Sequence, residues 1–134
     1  CYENTFAQLG NSIADSLGFT AMKMSKSGNR IAVMSAVPQN SNNNFSRMVK
    51  VYELVSNNWV QKGQTILGFN SGGYYSNHDF ISFDDNGNVI AIGDNWNNLV
   101  KVYDLIGSTW TQRGNDITGD QYSFFGLSVS LNSN

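Results

Sequence analysis

The sequence predicts an all-β protein, and three observations lead there. Apolar and polar residues alternate with a period of two over short stretches, as they do in half-buried strands. Gly, Asn and Ser bound those stretches at the positions that tight turns require. The same ordered set of stretches then returns along the chain, as when one supersecondary unit is used repeatedly. No stretch of useful length shows a 3.6-residue period, so no helix is expected.

The first strand of the unit contains Met22 and Met24, Ile81 and Phe83, or Val129 and Leu131, each pair alternating with polar neighbours. That alternation marks one buried and one solvated side. A turn follows, "SKSGN" (25–29) or "DDNGN" (84–88), whose Ser-Gly and Asn-Gly pairs supply the positive φ a tight hairpin needs. The second strand, "RIAVM" (30–34) or "VIAIG" (89–93), is apolar on both sides, as an interior strand is. The third, "VKVYEL" (49–54) or "VKVYDL" (100–105), alternates again, with a remnant, "CYE", at positions 1–3. After the turns "SNNW" (56–59) and "GSTW" (107–110), a fourth strand is expected over the frame aromatic-x-Gln-x-Gly-x-x-Ile. This frame occurs at 6–13, 59–66 and 110–117. Because Trp59, Gln61 and Gly63 recur as Trp110, Gln112 and Gly114, they read as structural residues of the unit.

Four antiparallel strands per unit with an aromatic signature match a β-propeller blade. "VYELVSNNWVQKG" and "VYDLIGSTWTQRG" resemble the Tyr-Asp…Trp half of a kelch-type repeat, and "ISFDDNGNVIAIGD" resembles its other half. Gly93-Asp94 stands where kelch repeats have Gly-Gly, and the first copy has Ser35-Ala36. The chain is most similar to W-x-Q-x-G-x-x-I-x-G propeller repeats of large secreted or surface proteins. The resemblance implies the end of a preceding blade at 1–20, full blades at 21–66 and 67–117, and the first strand of another at 118–134. Propellers need at least four blades. The expected partners are therefore further blades of the same longer chain or other copies of it.

Composition narrows the function classes. Charged residues make up 13% of the chain and the net charge is −2, leaving no basic footprint for nucleic acid. No apolar run has the length of a membrane span. A single cysteine, Cys1, excludes a disulfide within the chain.

The connections point to function. Those between the second and third strands, and between one unit and the next, differ in length between copies, while the hairpin turns do not. In an up-and-down blade all the variable connections emerge at one end, where binding loops on a rigid scaffold belong. They are rich in aromatic and amide groups: Tyr74, Tyr75, Trp96 and Tyr122 are candidates to stack on a sugar ring or a protein surface. Asn44 opens an Asn-x-Ser sequon expected in the longest such insertion, consistent with an extracellular or cell-surface setting. His78 is the only histidine, and no second ligand lies at metal spacing. Asp79, Asp94 and Asp120 name no catalytic pair. The expected activity is non-catalytic, without cofactor or metal: binding of a glycan or protein. The alternative is a structural subunit whose blades stack into an extracellular filament or appendage.

Overall fold

A computed structural model describes residues 7–14, 17–38, 44–72 and 80–132. They form two antiparallel sheets, and no described residue is helical. The first sheet holds β1 (Phe19–Met24), β2 (Arg30–Pro38), β3 (Asn44–Val55), β4 (Asn58–Gln61) and β5 (Ile66–Gly72). The second repeats the plan with β6 (Ile81–Phe83), β7 (Val89–Asp94), β8 (Leu99–Ile106), β9 (Thr109–Gln112) and β10 (Ile117–Thr118). Each runs as a meander, β1-β2-β3-β4 and β6-β7-β8-β9. The remaining strand of each sheet, β5 or β10, also pairs with the third.

The turns form for the reasons seen in the sequence. Gly28 and Gly87 have φ of 74° and 71°, and each donates its N–H back to the carbonyl of Ser25 or Asp84. The side chains of those same two residues accept the N–H that opens the next strand: Arg30 to Ser25 Oγ at 3.1 Å, Val89 to Asp84 Oδ1 at 2.8 Å. Ser56 and Asn57 both take positive φ in the two-residue turn before β4, matching strand twist in a tight hairpin.

The outer strand departs from the expected single run. β3 is 12 residues long, and on the edge away from β2 it borders two strands, pairing with β4 at its C-terminal end and β5 at its N-terminal end. Between them the chain steps out at Gly63, whose φ of 76° a strand residue does not adopt. The second sheet breaks in the same way at Gly114 (φ 69°), between β9 and β10. β5 also carries the first sheet to Gly72, beyond the boundary at 66 drawn from the sequence.

The sheets pack face to face, with β6 against β1. From the first come Ala32, Met34, Val49, Val51 and Ile66; from the second Phe80, Ile81, Phe83, Ile90, Ile92 and Tyr103. Full burial of each large side chain contributes ~1.5–3 kcal/mol, which makes this apolar layer the main cohesive force. In β6 Ile81 and Phe83 are buried as expected, but Ser82 between them is buried too, so neither side of this strand is solvated. In β1, against expectation, Met22 and Met24 are 64% and 52% exposed. The alternation is the same, but it directs these methionines to the side of the first sheet that does not face the second.

Two polar devices fix the register between the sheets. At the hairpin-turn end, Arg30 bonds Glu53 at 2.6 Å within its own sheet and the Gly87 carbonyl and Asn88 Oδ1 across the interface at 2.8 and 2.6 Å. Lys26 meets Asp85 at 2.7 Å beside it, and Lys62 meets the other Glu53 oxygen at 3.2 Å. At the outer edge lies a tryptophan seat. The Trp110 indole N–H donates to the Lys62 carbonyl at 2.9 Å and its main-chain N–H to Gln64 Oε1 at 2.9 Å. Gln64 Nε2 in turn donates to the Trp110 carbonyl at 2.6 Å. The ring lies against Gly63, where an added Cβ would come within 2.7 Å of Trp110 Cδ1. Gln61 holds the seat closed by donating to the Gly63 carbonyl at 3.1 Å.

The same seat occurs one repeat earlier. Trp59 donates its indole N–H to the Leu9 carbonyl at 3.0 Å and its main-chain N–H to Asn11 Oδ1 at 2.6 Å, over Gly10. Gln8 reaches the Gly10 carbonyl at 3.1 Å. The recurring Gln-x-Gly therefore builds a cradle for the tryptophan of the following repeat.

Two outcomes follow from this geometry. Gly63→Ala combines positive-φ strain, ~1–2 kcal/mol, with a clash against the indole, whereas Gly114→Ala meets only the strain, having nothing described within 4 Å. Urea unfolding should show Gly63→Ala to be the more destabilising by at least ~1 kcal/mol. Separately, the Arg30 hydrogen bond holds the Glu53 carboxyl below its ordinary range, with burial opposing and Lys62 assisting. A depressed carboxyl stabilises the fold above its unfolded pKa, and that stabilisation is lost as pH falls through the folded value. The urea midpoint should thus decline below about pH 4.5, and Glu53→Gln should flatten that decline in part. Asp104, similarly held down by Arg113, contributes in the same direction.

Candidate functional site

The described ends of β2 and β3, Gly18 ahead of β1, the β7–β8 turn and the segment following β10 lie at one end of the sheets. Ala36 N–H bonds the Gly18 carbonyl at 3.4 Å, and Gly119 N–H bonds the Asn98 carbonyl at 2.8 Å. The hairpin turns gather at the other end, where Leu54 bonds Asn29 and Leu105 bonds Asn88. Among the described residues, the β7–β8 turn and the segment after β10 thus share the end opposite the hairpin turns.

Trp96 stands in the β7–β8 turn with 61% of its surface exposed. Tyr122 stands in the segment after β10, 81% exposed and at a φ of 65°. The segments that carry them pack together. Ser123 Oγ donates to Asn98 Oδ1 at 3.4 Å, and Gly93 meets Gly126 so closely that an added Cβ would lie 2.0 Å from the Gly126 oxygen. Glycine at position 93, in place of the Met34 of the first repeat, allows that approach. Tyr74, Tyr75, His78 and Asp79 lie outside the described residues, as does Cys1. Asn44 is not in a connection: it is the first residue of β3 and pairs with Gly72 of β5. Trp59 and Trp110, 9% and 3% exposed, and their glutamine and glycine neighbours build the seats at the outer edge, away from the loop end.

Beneath the loop end lies a charged cluster that the sequence reading did not assemble. Arg47 of β3 is 4% exposed, and its guanidinium carbon sits 4.6 Å from the centre of the Phe80 ring, a cation–π arrangement. Its Nη1 is buried and has no hydrogen-bond partner among the described residues. Burial pulls the pKa of this guanidinium below its ordinary value, and the Asp94 carboxylate offsets part of that cost. Asp94, 1% exposed, shapes the Trp96 turn by accepting from Asn97 N–H at 3.2 Å and from Asn97 Nδ2 at 2.8 Å. A buried cation, an aromatic face and a carboxylate thus underlie the turn that presents Trp96. The available signal was phase: Arg47, Val49 and Val51 alternate along β3, so Arg47 shares their buried face. In the sequence Asp94 stands out only beside Gly93 in the kelch-like half and as one of three aspartates that name no catalytic pair.

Among the described residues, no three His, Cys, Asp or Glu side chains converge as metal ligands do. Among the described residues no helix is long and apolar enough to cross a membrane. In comparisons with protein-family models, curated proteins and solved structures, none matches the chain.

Asp94→Ala removes both bonds to Asn97 and leaves the Arg47 charge buried with less compensation. We expect a loss of about 3 kcal/mol in urea unfolding. Adding Arg47→Met should recover part of it, because the double variant buries no uncompensated charge there.

Proposed function

We propose that the chain is part of a β-propeller scaffold, each sheet being one blade, and that its role is to bind rather than to catalyse. The loop end is its binding face, and a glycan or protein surface its ligand. The observation that carries this reading is the division of labour between the two ends. The hairpin-turn end is tied by Arg30, Lys26 and the Gly87–Asn88 turn. The loop end instead exposes Trp96 and Tyr122 on mutually packed backbones. Exposed aromatic rings on a braced backbone lose little conformational freedom on binding and offer both apolar and polar contact. Amide-rich surroundings, with Asn95, Asn97 and Asn98 beside Trp96, suit the hydroxyls of a sugar. Tyr74 and Tyr75 belong to the same proposal, and the sequon at Asn44 agrees with a place outside the cell.

A second reading has its own support: a structural subunit that stacks through its sheets, favoured by the exposed Met22 and Met24 on the free side of the first sheet. The two readings separate on a glycan array followed by NMR titration of any hit. Binding through the loop end shifts the Trp96 indole and Tyr122 resonances. Trp96→Ala and Tyr122→Ala should each weaken affinity by ~10-fold or more with the unfolding midpoint unchanged. Shifts confined to β1, or hits indifferent to both substitutions, would exclude the loop end as the site.

A further inference from the structure

Each repeat offers a seat on one side and a tryptophan on the other, and among the described residues one seat more is built than is filled. The turns at 8–12 and 61–65 hold Trp59 and Trp110. The turn at 112–116 is built identically. Gln112 Nε2 donates to the Gly114 carbonyl at 3.2 Å and also reaches Asp116 Oδ1 at 2.8 Å. Gly114 keeps the same positive φ, 69° against 77° and 76° at Gly10 and Gly63. Arg113 supplies the carbonyl that Leu9 and Lys62 supply in the other two, and Asn115 stands where Asn11 and Gln64 bond the tryptophan main chain. Yet a Cβ on Gly114 would meet nothing described within 4 Å, while at the other two it would strike the indole within 3 Å.

The sheet beside this seat is also incompletely covered. Ala91, Val100, Val102 and Ile117 occupy the positions that Ala32, Val49, Val51 and Ile66 hold in the first sheet. There, the second sheet buries them. Here, the covering is Phe125 and the stretch through Leu131, which leave a cavity of ≈ 300 Å³. A second recess of ≈ 260 Å³ lies between Asp84, Val89, Arg113 and Leu131. In the first sheet the corresponding positions are Ser25, Arg30 and Lys62, and the Gly87–Asn88 turn of the next repeat fits against Ser25 and Arg30. Leu131 N–H already bonds Ser82 Oγ of β6 at 2.9 Å, placing 129–131 beside β6 where the first strand of a further repeat is expected.

From these placements we infer that the second sheet is a docking face for a third repeat continuous with residues 129–132, keyed by a tryptophan indole seated on the Gln112–Asp116 turn. Seat, apolar face and turn recess each repeat an interface that the first sheet makes with the second. The occupant is a tryptophan and not a phenylalanine, because both filled seats accept an indole N–H. That requirement excludes a second copy of the chain: its Trp59 and Trp110 are already seated, Trp96 lies in a turn and not on an outer strand, and the Phe6 side chain has no N–H. The seat does not depend on whether the loop end binds anything.

The test extends the full chain at Asn134 with a copy of residues 87–134, which continues the repeat in register and adds a copy of Trp110. Hydrogen exchange of the indole N–H groups, followed by NMR, is the readout. The copied Trp110 indole should exchange on the order of 100-fold more slowly than that of Trp96. Gly114→Val should abolish that protection while leaving that of Trp59 and Trp110 intact. An unprotected copied indole, with Trp59 and Trp110 still protected, overturns the inference. Should the extension disturb the second sheet, a peptide of sequence 99–118 is titrated into the unextended chain. Shifts of the Arg113 and Gly114 amides that vanish when the peptide tryptophan is phenylalanine support the seat, and no shift at millimolar peptide overturns it. Sedimentation of the unextended chain completes the test: self-association removed by Gly114→Val would show a second copy in the seat and overturn the assignment.

Discussion

The indole N–H of Trp110 leaves water when the sheets pack, and the Lys62 carbonyl of the preceding repeat receives it. An unmade bond at a buried indole would cost ~1–3 kcal/mol, so the ring can be buried only where an acceptor is already positioned. Gln61 and Gly63 create that position: the glycine steps the outer strand aside, and the glutamine amide fastens the step. The break between β4 and β5, which looks like a defect in the outer strand, is what exposes the carbonyl to the neighbouring repeat. Once the tryptophan is seated, the register of the second sheet on the first is set at the outer edge. Arg30, reaching Gly87 and Asn88, sets it again at the hairpin-turn end. The apolar layer between these two fixed points then packs in a single alignment.

This arrangement explains which features were legible in the sequence. The strands, their order and the glycine turns followed from alternation and from Ser-Gly and Asn-Gly pairs, because those depend on local backbone geometry. The outer strand was misread as continuous. Its apolar spacing does continue from Trp59 to Ile66, but a positive-φ glycine between them is a step in the chain that spacing does not register. Met22 and Met24 show the complementary limit. Alternation identifies the two sides of a strand, but which side is buried depends on whether another sheet lies over it.

The loop end was legible only in outline. Comparing the copies placed the variable connections at one end, and the backbone bonds Ala36–Gly18 and Gly119–Asn98 agree. Its interior was not legible. Arg47 and Asp94 belong to different repeats and meet only because the sheets pack, and neither stands in a motif. Arg47 aligns with Asn98 of the other copy, so the repeat itself gives no reason to expect a cation there. Asn44 was expected in a connection because the copies differ in length there, yet β2 and β3 absorb most of that difference by lengthening to Pro38 and from Asn44.

A seat on one side of a repeat and an indole on the other make the contact heterologous, so successive sheets add in one direction with a constant step. The tryptophan seats and the Arg30 bonds that fix this step lie at the outer edge and the hairpin-turn end. Substitutions there act on the stacking of every neighbour, which accounts for the near-identity of 49–68 and 100–119. The loop end carries none of the tryptophan-seat or Arg30 bonds, and its described link between repeats is the Arg47 contact with Phe80 and Asp94. Its chain length and aromatic content can therefore change from copy to copy without disturbing the step, provided that a buried charge such as Arg47 keeps its carboxylate. Variation in chain length between repeats is tolerated at one end because stacking has already committed the other.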